Sequence, residues 1–135
     1  MSILGIDYGL KRIGIACTDE LNISSYPLIQ IENKNDKSHF NEILEVISER
    51  PIDLVLIGIP FKDDGKLKIQ DDIEEFSEEL SKLIDIKILH WDENFTTDEA
   101  EDFLIKNKVS RKKRKNLKDK LAACNIINSY LRSLS

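Results

Sequence analysis

The sequence predicts an α/β fold: a five-stranded mixed sheet, antiparallel in its first three strands and extended by parallel crossovers, flanked by helices. Two observations carry that expectation. Three short apolar runs come first, separated by turns too short to hold a helix, which gives an antiparallel meander. Two further apolar runs then alternate with stretches of helical apolar spacing, the order that joins parallel strands through crossovers.

The first run, Ser2-Ile3-Leu4-Gly5-Ile6-Asp7-Tyr8-Gly9, is apolar almost throughout, as a strand covered on both faces must be. It turns at Gly9-Leu10-Lys11 into a second strand, Ile13-Gly14-Ile15-Ala16-Cys17. Tyr26 to Ile31 is a third strand, placed at an edge because Pro27 cannot donate to a ladder. Phe40, Ile43, Leu44 and Ile47 recur at i, i+3, i+4, i+7 and predict an amphipathic helix that ends near Pro51. Asp53 to Ile59 is a buried strand stopped by Pro60, followed by a loop over Phe61 to Lys66. Ile69, Ile73, Phe76, Leu80 and Leu83 predict the second helix, and Ile86 to His90 the fifth strand. Thr96-Thr97-Asp98-Glu99 fits a capping box opening a third helix, and Leu117 to Leu134 forms the last.

With 135 residues, we expect one domain over 1–135. Hydrophobic content of 41% with 33% charged residues fits a soluble globular protein. The longest apolar stretch, Ile52 to Phe61, is far too short to span a bilayer, and the N-terminus lacks the basic and apolar regions of an export signal. We therefore expect a cytoplasmic protein without a membrane partner, its Cys17 and Cys124 reduced core thiols. The net charge of −5 hides a strong asymmetry. Nine of the 20 Lys/Arg residues, but one of the 25 acids, fall between Lys106 and Lys120. Such a concentration builds a local anion-binding surface.

Asp7 is costly where it stands, since an ionised carboxylate at the end of a buried strand needs a cation or strong hydrogen bonds. It is a metal ligand, a general base or a structural cap of the turn. Ligands of open sheets bind outside the carboxyl ends of the parallel strands. Asp7 closes the first strand and Trp91-Asp92-Glu93 follows the fifth, so Asp7 and Glu93 share one edge if those strands are neighbours. In the last helix Asp119 lies on the same stripe as Ala123, Ile126, Ile127 and Tyr130, in what the pattern makes the first turn. Three carboxylates from these places can clamp one or two hard cations, Mg²⁺ or Mn²⁺. Two such ions about 4 Å apart stabilise the attacking and leaving oxygens of a phosphoryl displacement. The basic segment around Asp119 would then hold a polynucleotide backbone.

These residues resemble the YqgF family, the Holliday-junction-resolvase-like or pre-16S ribosomal RNA nucleases. Gly5 to Ala16 is similar to the family's opening strand-turn-strand, and Ile57-Gly58-Ile59-Pro60 with Asp64-Gly65 to its second motif. Trp91 to Ala100 is similar to the third, and Asp119-Lys120-Leu121-Ala122-Ala123 through Leu131 to the fourth. The resemblance covers nearly the whole chain in order. It implies an RNase H-like fold, metal-dependent nuclease chemistry and 5′-end maturation of pre-16S rRNA in the cytoplasm. It also implies that Asp7, Glu93 and Asp119 are the catalytic acids. Expected partners are pre-16S rRNA or the small ribosomal subunit, with the protein a monomer or weak homodimer.

The chain departs from the family at Asn94, where Arg is usual, at Lys62 in place of Asn, and at Glu74 and Glu75, where a base is common. Lys11, Arg12 and Lys62 are candidates to replace the missing charge, beside Arg111, Lys112, Lys113, Arg114 and Lys115 of the basic segment, which we expect to form an exposed loop. His39 is expected at the surface, His90 has a secondary claim to the site, and Trp91 is expected to pack in the core. Asp92 is set aside because neighbours on an extended segment face opposite ways. Competing functions are a catalytically weak RNA-binding assembly factor, which Asn94 favours, and a Holliday junction resolvase acting on DNA. An actin-like ATPase needs about three times this length.

Overall fold

In the computed structural model, which describes residues 2–19, 21–34, 36–60, 68–92 and 110–134, and of 68 and 111–120 the backbone alone, the strand bearing Asp7 is the middle one of five. The strands are β1 (Ser2–Tyr8), β2 (Arg12–Thr18), β3 (Ser25–Glu32), β4 (Ile52–Ile59) and β5 (Lys87–Asp92). Their order across the sheet is β3-β2-β1-β4-β5. β1 and β2, then β2 and β3, pair antiparallel, whereas β4 lies parallel to both β1 and β5. This is the mixed sheet expected, with β3 at one edge.

The helices α1 (Ser38–Ser48), α2 (Lys68–Ser81) and α3 (Arg111–Ser133) divide between the two faces. Alternation along β1 sends Leu4, Ile6 and Tyr8 one way, into a core with Phe40 and Ile43 of α1 and Ile73, Phe76 and Leu80 of α2. Ile3 faces the other way, into a second core with Ala123, Cys124, Ile126 and Ile127 of α3. Leu4, Ile6, Ile43, Leu80, Ile126 and Ile127 have no measurable exposure. Side chains of this size each contribute about 1.5–3 kcal/mol when buried. The two-sided cover explains why β1 and β4 are nearly continuous apolar runs.

Gly5 marks where α3 comes closest to the sheet. A β-carbon there would lie 2.6 Å from Ile127 Cγ1 and 2.8 Å from the Ala123 carbonyl oxygen. At the other end of β1, Ile3 N donates to Thr18 Oγ1, and Ser25, paired with Thr18, donates to the Cys124 carbonyl and to Asn128 Oδ1. Later residues of α3 therefore sit toward the start of β1, and the helix runs antiparallel to it.

Two boundaries differ from the expectation. β5 continues through Trp91 and Asp92, which pair with Gly58 and Ile59. α3 begins at Arg111 instead of Leu117, so the basic segment expected as a loop is helical along its backbone. Arg and Lys are good helix formers, the segment holds neither Gly nor Pro, and Ser110 is a preferred type before a first turn. Apolar residues from Leu121 onward anchor the helix on the sheet. The helix expected from Thr96 lies outside the described residues.

Candidate active site

Asp7 is half-buried, one residue from the end of β1, opposite Gly14 of β2. It is in phase with Ile3 and Gly5, so it belongs to the face that α3 covers. From Gly5 to Asp7 the strand advances about 6.6 Å. One helical turn back from Ala123, about 6 Å, is residue 119. Both steps run toward the same end of the sheet, because α3 and β1 are antiparallel. Asp119 is the ninth residue of α3, in its third turn and not in its first. The N-terminal dipole, which acts within the first turn, gives a carboxylate at that depth little support.

The turn after Asp7 is tightly built. A β-carbon on Gly9 would fall 2.5 Å from the Arg12 carbonyl oxygen, so no other residue fits without moving the backbone. Asn33, just beyond β3, fastens this turn from three directions. Its side-chain nitrogen donates to Tyr8 Oη at 3.1 Å and to the Gly9 carbonyl at 3.0 Å, and its backbone N–H donates to the Lys11 carbonyl at 2.9 Å. Lys11 and Arg12 are exposed at this turn, beside the Asp7 end of β1. At the end of β4, the Pro60 carbonyl accepts a hydrogen bond from the buried side chain of Gln70 in α2. Sequence reasoning missed Asn33 and Gln70, whose partners lie 24 or 25 and 10 residues away.

β5 sorts the remaining candidates by face. Trp91 lies on the α3 side, where its Nε1 donates to Ser129 Oγ at 3.0 Å and its ring meets Tyr130 edge-on at 5.2 Å. It packs in the core, as expected. His90 faces the other way, with Nε2 2.9 Å from Ser77 Oγ of α2. Asp92 shares the parity of His90 and so lies across the sheet from Asp7. Glu93 and Lys62 fall outside the described residues. Arg111, Lys112, Lys113, Arg114 and Lys115 form the first turns of α3. Among the described residues, no group of three His, Cys, Asp or Glu side chains could hold a metal ion. Glu93 and the side chain of Asp119 lie outside the described residues.

Two expectations outside the site resolve clearly. His39, expected at the surface, is buried against Phe40 and Phe76 and is only 6% exposed. Burial holds its pKa below the ordinary value, so the ring is neutral near pH 7. Cys17 and Cys124 are free, buried thiols, and burial raises both pKa values, which makes them poor nucleophiles. No helix among the described residues is long and apolar enough to cross a membrane.

A mixed sheet in this strand order, with an acid closing its central strand beneath a covering helix, defines a protein of the RNase H-like fold. Solved structures agree in shape: Thermus thermophilus RuvC bound to a Holliday junction superimposes with a TM-score of 0.59, covering 98% of this chain and 96% of that one at 13% identity. The fowlpox virus resolvase with Holliday junction DNA gives the same score at 17% identity over 99% of both chains. A family model described as "RuvX: Holliday junction resolvase" matches residues 1–133. A protein of Endomicrobium trichonymphae named "Putative pre-16S rRNA nuclease" is 40% identical over 131 residues, 96% of this chain and 94% of that protein. One of the same name from Clostridium acetobutylicum is 36% identical over 135 residues, covering 99% and 100%. The chain belongs to the RuvX family, also called YqgF, whose members carry the names of nucleases.

Proposed function

We propose that this protein is a metal-dependent nuclease, one domain over residues 1–135, that cleaves phosphodiester bonds of structured RNA in the cytoplasm. The observation that carries the reading is Asp7: a half-buried carboxylate at the end of the central strand, on the face covered by α3, with residue 119 one turn from Ala123 toward the same end. Asp7, Glu93 and Asp119 are the proposed ligands of Mg²⁺ or Mn²⁺ and the proposed catalytic acids. All three offer hard oxygen donors, and such ions keep positions for water and substrate phosphate. When bound, the ion offsets the charge that develops on the phosphoryl oxygens.

The chain's own residues supply the rest. The Gly9 turn, fixed by Asn33, presents Lys11 and Arg12 beside Asp7, where they meet the phosphate backbone. Lys62 and the Arg111–Lys115 turns of α3 extend that contact. The relatives named for pre-16S rRNA support that precursor as the substrate; the task proposed on it is 5′-end maturation, with the precursor or the small ribosomal subunit as partner and the protein a monomer or weak homodimer.

The test is cleavage of a pre-16S rRNA fragment carrying its 5′ extension, beside a DNA four-way junction, with Mg²⁺ or Mn²⁺ and with chelator. We expect divalent-dependent cutting of the RNA and none by Asp7→Asn. RNA that binds but is never cut, by parent and variant alike, would make the protein an assembly factor instead. Preferential cutting of the junction would favour the second reading, a DNA resolvase, for which the family description and the two viral and bacterial structures speak. A resolvase working on a two-fold junction would also have to be a dimer.

A further inference from the structure

Eleven consecutive residues, Leu21 to Ile31, carry no charged side chain in a chain that is 33% charged. They form most of the β2–β3 loop and of β3, an outer strand of the sheet. Edge strands are commonly guarded by charges, above all lysine. Here the guards are Pro27 and a shift of register beside it, which hinder a further strand from pairing but leave apolar side chains bare. Of the seven large apolar side chains exposed among the described residues, four belong to this run: Leu21, Ile23, Tyr26 and Ile29. Scattered exposed aliphatics are ordinary, whereas a gathering of them marks an interaction surface.

The loop is built to hold its aliphatics outward. The Asp19 carboxylate accepts from the Ile23 N–H at 3.0 Å and from Ser24 Oγ at 3.1 Å. The Asp19 backbone also accepts from the Asn22 N–H and donates to the Ser24 carbonyl, both at 3.1 Å. Thr18 Oγ1 donates to Asn22 Oδ1 at 2.7 Å, and Asn22 takes the left-handed conformation with φ 55°. Polar groups thus close inward while Leu21 and Ile23 stand 76% and 73% exposed, the reverse of an ordinary surface loop. Beside them opens a groove of about 890 Å³, walled by Ile23, Leu54, Tyr130, Leu131 and Leu134. It also carries one acid and one base, Asp53 and Arg132.

We propose that two copies of this chain associate through this surface, the Leu21–Ile23 loop of each seated in the groove of the other. A projecting loop and a groove side by side are what a two-fold contact requires, since each patch must complement itself. A loop already fixed by its own hydrogen bonds loses little freedom on docking. The charges also suit a second copy. Two chains of net charge −5 repel over most of their surfaces, and the uncharged run is where they can approach. The two-fold axis sets Asp53 of one copy toward Arg132 of the other, a match of opposite signs that a uniformly basic or acidic partner would meet only by half. Ser2 and Ile3, at the start of β1, also line the groove, so it lies at the end of the sheet opposite Asp7. Association there leaves the proposed catalytic ends of both copies open.

The experiment is sedimentation velocity on the full-length protein across a wide concentration range. The parent should pass from monomer to dimer as concentration rises. Ile23→Asp, and Leu21→Asp at the more exposed position, should each raise the dissociation constant about tenfold or more. Both side chains face solvent in the single chain, so melting temperatures should stay near the parent's. Leu83→Asp, at an exposed leucine outside this surface, should dimerise as the parent does. A parent that stays monomeric throughout, a dimer that both loop variants leave intact, or an equal loss in Leu83→Asp would overturn the proposal. Sedimentation reads no cleavage, so its result stands apart from the nuclease assay.

Discussion

Gly5 lies directly beneath Ile127, and a single added β-carbon would press to within 2.6 Å of the isoleucine's Cγ1. This close approach sets the height of α3 over the sheet, and with it the distance from the helix to the end of β1. Gly5→Ala should therefore lift the helix or force Ile127 from its rotamer. We expect a loss of about 1–3 kcal/mol, the usual penalty for overpacking a filled core. Cleavage should fall further than stability, because the proposed metal ligands come from both elements. Urea denaturation read beside activity checks this, and an unchanged midpoint would mean that the helix slides freely.

Asn33→Ala should act on the site more than on the fold. It removes the donors to Tyr8 Oη and the Gly9 carbonyl, worth about 1–2 kcal/mol together. The backbone bond from residue 33 to Lys11 remains. A turn released at Gly9 no longer holds Lys11 and Arg12 in place, so we expect a rise in KM for RNA in a protein that still folds. Parent-like kinetics would show that Arg12, at the start of β2, is positioned by the strand alone.

Strands and topology were legible because burial on both faces leaves long apolar runs, and segments rich in polar residues and turn formers separate them. Asp7 was legible for the same reason, as a charge interrupting such a run. The ends of elements were harder. Asp92 and Trp91 gave no signal that pairing with β4 would extend β5 over them. The start of α3 was obscured because the five basic residues from Arg111 to Lys115 carry no apolar period, although their propensity favours helix. His39 was misplaced because a periodicity count treats histidine as polar, whereas here its ring joins Phe40 and Phe76 in the core. Asn33 and Gln70 act through contacts between distant segments, which no local pattern encodes.

His39→Phe should stabilise the protein and change its response to acid. The phenyl ring keeps the stacking on Phe40 and removes a buried, unpartnered nitrogen, a gain of about 1 kcal/mol. In the native protein burial depresses the pKa of His39 below its ordinary 6.5, while the unfolded chain regains that value. Between those two values the unfolded state binds more protons, so this residue costs stability as pH falls below about 6.5. Above that pH both states are neutral and the effect vanishes. Thermal melts across this range should show a shallower acid-side decline for the variant, and parallel declines would refute the assignment.

Replacing Arg111, Lys112, Lys113, Arg114 and Lys115 together with Ala separates the charge of this segment from its helicity. Alanine is the best helix former, and the substitution removes cations from the end of a helix where the dipole disfavours them. Helical content by circular dichroism should therefore hold or rise, and folding stability should not drop. RNA binding should weaken across unrelated sequences, because phosphate contacts position a nucleic acid without reading it. The slope of log affinity against log salt should flatten by roughly 0.7 to 0.9 for each phosphate that the variant no longer neutralises. Had this segment been a loop, ordering it on RNA would add an entropic cost that alanine would also alter. A backbone already helical makes the electrostatic difference the cleaner readout. Unchanged affinity with an unchanged salt slope would reduce these turns to solvated surface, and RNA would then have to cross the exposed Lys11 and Arg12 beside Asp7.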